Sequence, residues 1–166
     1  MKVRENKMLK SPWWYISVSV FIALVLSIMP LPLGIKAFRP DWLALVVMYW
    51  TIALPHRVNI VTAWALGFFL DILLGTILGV HAFALALIVF ITASNFQKLR
   101  NFSVWQQAAL IAVFLTLYHL VIFWLNRLLI GVNFSGEFVY PAITSALFWL
   151  WLFPVMRAYR RKFKVR

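Results

Sequence analysis

The feature that most limits what this chain can fold into is an apolar run over residues 58–97, nearly uninterrupted for 40 residues. A helix crosses the bilayer core in about 20 residues, so the run reads as two crossings folded back on each other. The break belongs at 75–79, GTILG, where glycine permits a tight turn. Just before it stands Asp71, an acid at a depth where a charge is costly. Gly67, Asp71, Gly75 and Gly79 recur every four residues, which sets neighbours about 40° apart on one slowly drifting helical face. A stripe of small residues admits a second helix. The acid on that stripe therefore points toward protein rather than lipid.

The remaining sequence repeats the membrane pattern. Hydrophobic residues make up 64% of the chain and charged residues 12%, where a soluble domain carries about 25% charged. The reading is an all-α polytopic membrane protein, one integral membrane domain over 1–166. Its six transmembrane helices are expected at about 13–33, 41–54, 58–74, 80–96, 104–125 and 140–156. A basic head before the first apolar run also describes a signal peptide. The run is too long for that and no small-x-small site follows, so an uncleaved helix is expected. Pro30, Pro32 and Gly34 end it. Pro40-Asp41 opens the second helix and Pro55 stops it. At about 21 Å this helix is short for a bilayer, so it either extends further or is shielded by neighbours. Pro55-His56-Arg57 is a tight polar turn, and Lys98, Leu99 and Arg100 close the hairpin made by the long run.

Six crossings put both termini on one face. Thirteen basic residues fall on that face and three (Lys36, Arg39 and Arg127) on the other. The positive-inside rule makes the basic face, and both termini, cytoplasmic. Trp13, Trp14, Trp50 and Trp105 near inner ends, with Trp42, Trp124 and Tyr140 near outer ends, fit an interfacial belt. Topology thus accounts for the net charge of +12: the basic tails suit anionic lipid, and no nucleic-acid role is expected.

Chemistry is sparse. There is no cysteine, and the three histidines are too scattered for a metal signature, so no metal and no cofactor are expected. No nucleophile–base–orienter set is visible, and GTILG is too short for a phosphate loop and lacks lysine. The chain does not read as an enzyme. Asp71 lies near the end of its helix, where an acid opposes the dipole and needs compensation. Backbone N–H groups of the 75–79 turn could supply it. So could His81, which sits as far beyond Thr76 as Asp71 sits before it, or His119 at similar depth on the fifth helix. A structural clamp is preferred to a proton or cation relay, because no second intramembrane acid stands ready to take the proton on. Arg39 and Asp41 are expected at the outer surface, as helix-boundary residues or partner contacts. The 126–139 loop, long for a connector, is a candidate docking segment.

Together, FRPDW, MYWTIALPHRVNI, GFFLDILLGTILGVHAFAL, RNFSVWQQA and VIFW resemble the family of the rod shape-determining protein MreD, over about 27–157. The first helix resembles it only in hydropathy. The resemblance assigns Pro40, Pro55, Arg57, Gly67, Asp71, Gly75 and Gly79 to the family motif, and no catalytic residue. It implies an inner-membrane protein of the bacterial cell-elongation machinery. The implied partners are an MreC-like bitopic protein and, through it, the MreB cytoskeleton and a peptidoglycan synthase pair. The implied fold is similar to the substrate-binding subunits of energy-coupling-factor vitamin transporters. Two functions follow: a membrane scaffold for wall synthesis, or a small-molecule-binding or transporter subunit using a polar pocket around Asp71.

Overall fold

The structure, a computed structural model, describes residues 12–30, 32, 38–131 and 139–163. The described residues form seven helices and no strand: α1 (Pro12–Ile28), α2 (Trp42–Ala53), α3 (Ile60–Leu74), α4 (Val80–Ser94), α5 (Phe96–Asn101), α6 (Val104–Ile130) and α7 (Val139–Lys162). Only α6 and α7 are long and apolar enough to cross a membrane by length and composition; α1 to α4 are apolar but shorter.

The bundle is organised around α2. Every residue from Leu43 to Ile52 is buried, so this short helix has no free face and behaves as the core itself. It packs against α1, α4, α5 and α7. Two polar contacts tie it to its neighbours α1 and α7. Trp50 donates its indole N–H to the Ser19 hydroxyl of α1 at 2.8 Å, and the Asp41 N–H donates to the Ser145 hydroxyl of α7 at 2.8 Å. Outward, the other helices expose large apolar side chains, among them Phe21, Val61, Phe69, Phe90, Val113 and Trp151. A soluble monomer rarely shows so much apolar surface, whereas lipid requires it.

Helix ends are set by local chemistry. Asn59 accepts from the N–H groups of Val61 and Thr62 while Thr62 Oγ1 accepts from the Asn59 N–H, a reciprocal cap that starts α3. Ser103 and Gln106 start α6 the same way. Gly75 ends α3 with φ 65°, and Gly79 precedes α4 with φ 97°, a backbone region that residues with a Cβ adopt at a cost.

Several expectations need correction. The Gly–Asp–Gly–Gly recurrence is not one packing stripe. A Cβ on Gly67 would lie 2.5 Å from Ala82 Cα, whereas one on Gly75 or Gly79 would meet nothing within 4 Å. Gly67 therefore allows α3 to approach α4, and the other two are turn residues chosen for φ. The fifth apolar helix, α6, continues to Ile130 rather than 125, so Asn126 to Ile130 are helix and not loop. The last helix continues to Lys162 rather than 156. Lys98 to Arg100 belong to a short helix of their own, α5. Trp50 is 0% exposed, a core residue rather than part of an interfacial belt. The first helix ends at Ile28, not 33; of the residues read as ending it, Gly34 lies outside the described residues, as do Lys36, Glu5 and Glu137.

Candidate functional site

The turn between α3 and α4 aims backbone donors at Asp71. That carboxylate is fully buried and accepts on both oxygens. Oδ1 accepts from the Thr76 hydroxyl at 2.9 Å and the His81 N–H at 3.2 Å, and shares a 2.6 Å hydrogen bond with His81 Nδ1. Oδ2 accepts from the Gly79 N–H at 2.9 Å and the Ala82 N–H at 3.3 Å. Gly79 caps α4 and His81 and Ala82 lie in its first turn, where amides lack intrahelical acceptors and carry the positive end of the helix dipole. An acid at the end of one helix is thus compensated by the start of the next. The close approach at Gly67, against Ala82 and the His81 carbonyl, holds the two helices at the distance this requires.

His119 does not reach Asp71 as one of the two expected alternatives. It meets Asp41 instead, with Nε2 2.7 Å from Oδ2. Asp41 correspondingly makes no side-chain cap on α2 and is part-buried rather than presented at the surface. Sequence reasoning missed this pair. Asp41 and His119 are far apart in the chain, and no local spacing relates them. Pro40 stands beside the pair, and its carbonyl accepts from the Trp42 N–H at 3.0 Å.

The Asp41–His119 pair and His81, which holds the buried Asp71, border one recess. A cavity of about 220 Å³ is lined by Arg39, Asp41, His81, Tyr118 and His119, with Leu43 and Leu70 below. Tyr118 is buried between the histidines, its ring centroid 6.2 Å from His81 and 5.2 Å from His119. Arg39 donates to the Leu26 carbonyl at 3.3 Å, tying the rim to α1. Pro55 and Arg57 lie at the far end of α2, where the Arg57 N–H donates to the Leu54 carbonyl at 3.0 Å, so the structure does not bring them to this site. Among the described residues no group of three or more histidine, aspartate or glutamate side chains could hold a metal. Chemically the recess can bind a small polar solute or water, or carry a proton between the pairs. Equally, it can act as fixed polar glue between α2, α3, α4 and α6.

Comparison with known proteins gives two findings. The sequence profile of a family described as rod shape-determining protein MreD matches residues 8–159. The chain is 39% identical over 153 residues to the rod shape-determining protein MreD of Haemophilus influenzae, covering 92% of this chain and 94% of that protein. No solved structure matches.

Proposed function

The chain belongs to the MreD family of rod shape-determining proteins, and from that premise we propose that it is a membrane scaffold of the cell-elongation machinery. Its task in this reading is to hold an MreC-like bitopic partner in the inner membrane and, through it, to couple MreB and a peptidoglycan synthase pair. It crosses the membrane six times as one domain with both termini in the cytoplasm, and it performs no catalysis. The basic tails meet anionic lipid. The observation that carries the scaffold reading is the state of Asp71: all of its contacts are internal, from Thr76, Gly79, His81 and Ala82. A carboxylate so held fixes the α3–α4 hairpin and leaves little capacity for turnover.

One observation favours a second reading. The Asp41–His119 pair and His81, the partner of buried Asp71, open on one cavity, which suits a small-solute or proton-coupled site in a transporter-like subunit. Asp71→Asn and Asp71→Leu separate the two. Asn keeps the shape and, with its oxygen at the Oδ1 position, the bonds to Thr76 and His81, losing those to Gly79 and Ala82, so a scaffold is weakened but retains rod shape and co-purification of the MreC-like partner. Leu leaves the Gly79, His81 and Ala82 N–H groups unpaired, at about 1–3 kcal/mol each, and lowers the folded, partner-bound amount. Normal accumulation and normal complex formation with complete loss of rod shape in the Asn variant would end the scaffold reading.

A further inference from the structure

At the opposite end of the bundle a second recess, of about 160 Å³, is lined by Arg100 of α5, Gln107 of α6, Arg157 and Arg160 of α7, and Tyr49 near the end of α2. That volume is several times the roughly 30 Å³ a water molecule takes in the liquid. Three guanidinium groups from two elements line it, and neither described carboxylate is near. Asp71 closes the α3–α4 turn and Asp41 precedes α2, both at the far end. The second observation is Gln107. It is 2% exposed, and its Nε2 already donates to the carbonyls of Leu99 at 2.9 Å and Phe102 at 3.3 Å. Its Oε1 is buried without a partner. A buried acceptor left open calls for a donor, because the unmade bond is costly.

We propose that this recess binds a phosphoglycerol group. The guanidinium forks take the anionic phosphate oxygens, for which arginine geometry is suited. A glycerol hydroxyl donates to Gln107 Oε1. The excess of basic residues at this end would follow from topology alone, but topology does not require a buried acceptor among them. The group can come from a phospholipid headgroup, a phosphodiester, or from a free glycerol phosphate, a monoester; both present anionic phosphate oxygens beside a glycerol hydroxyl. This site is independent of the recess around Asp71 and of the scaffold reading.

The test uses the full chain in neutral detergent, titrated with short-chain phosphatidylglycerol, phosphatidylcholine, phosphatidylmethanol and glycerol 3-phosphate, with binding read by native mass spectrometry. Phosphatidylglycerol binds in preference to phosphatidylcholine. Arg157→Gln with Arg160→Gln weakens it by about tenfold or more, whereas Arg161→Gln with Lys162→Gln, which removes the same charge beside the recess, changes it by about twofold or less. Arg100→Gln, on a different element, weakens it in the same sense, which guards against one misfolded variant. Phosphatidylmethanol, lacking the glycerol hydroxyls, binds about threefold or more weakly than phosphatidylglycerol. Binding of glycerol 3-phosphate with the same variant pattern assigns a free source as well; binding of the lipid alone assigns the headgroup. Equal losses from the two double variants, no preference over phosphatidylcholine, or equal affinity for phosphatidylmethanol would each overturn the proposal.

Discussion

Gly67→Ala tests whether the α3–α4 contact sets the geometry around Asp71. The added methyl carbon would stand 2.5 Å from Ala82 Cα, 2.7 Å from Ala82 N and 2.7 Å from the His81 carbonyl oxygen. All three are backbone atoms, so no side-chain rotation relieves the overlap and the helices must separate. Overpacking of this kind costs about 1–3 kcal/mol. Separation also moves the Ala82 N–H, already 3.3 Å from Asp71 Oδ2, and the His81 N–H, 3.2 Å from Oδ1, out of bonding range. Each hydrogen bond to a charged group contributes about 1.5–3 kcal/mol. Partial relaxation keeps these from adding in full, so the expected loss is about 2–4 kcal/mol, or an apparent Tm lower by roughly 5–15 °C for a chain of this length. Thermal unfolding in detergent, followed by tryptophan fluorescence, reads this directly. Ala65→Leu, on an exposed face of the same helix, serves as control and leaves Tm nearly unchanged. A second variant sharpens the test. Ala82→Gly removes a Cβ that is not among the clashing atoms, so it fails to rescue Gly67→Ala. A Tm for Gly67→Ala within about a degree of the parent, or full rescue by Ala82→Gly, would refute the backbone-contact argument.

Gly79→Ala has open space around it but keeps φ at 97°, so it costs about 1–2 kcal/mol through strain; an asparagine there is milder than alanine. Gly75→Leu acts by the same route at φ 65°, and Ala86→Leu measured alongside it shows the smaller effect. A double-mutant cycle on Asp41→Asn and His119→Ala returns a coupling of about 0.5–3 kcal/mol in unfolding free energy, and additive losses would deny the pair. Reporter fusions after residue 166 and within 132–138 report opposite sides of the membrane; a cytoplasmic signal from the loop sinks the six-crossing topology.

What could be read from the sequence depended on whether a signal was local. The 75–79 break was legible because glycine marks a change of direction inside an otherwise featureless apolar run. The link between Asp71 and His81 was legible as one of two alternatives, since both residues sit symmetrically about Thr76 in a single hairpin. The partner of His119 was not. It lies across the bundle, and only the packing of α6 beside the start of α2 brings Asp41 within 2.7 Å. The four-residue recurrence from Gly67 misled because periodicity assumes the helix continues, whereas Gly75 takes a left-handed φ and ends it. Trp50 misled for a related reason. Position near a helix end suggests an interface, but α2 is surrounded on every side and its tryptophan finds Ser19 inside the core.

The shortness of α2 explains why the molecule has a polar recess at each end of its apolar core. Twelve helical residues rise about 18 Å, against the roughly 30 Å of a bilayer core, while the 27 residues of α6 rise about 40 Å. A central helix shorter than its surroundings leaves a gap above and below it. At its start the gap is bordered by Pro40, Asp41, Leu43 and Ala44 and is closed by His81, Tyr118 and His119. At its end the gap is bordered by Tyr49, Ile52 and Ala53 and is ringed by arginines. Unfilled space over an apolar helix end would expose its terminal amides and carbonyls to a medium that cannot satisfy them. Polar side chains converging from the neighbouring elements remove that penalty. The same convergence gives the two ends opposite chemistry, acid with histidines at one and, among the described residues, guanidinium groups without a carboxylate at the other. A sequence that lengthened α2 by a turn at either end would fill the recess there and abolish the site, leaving the outer helices able to pack as before.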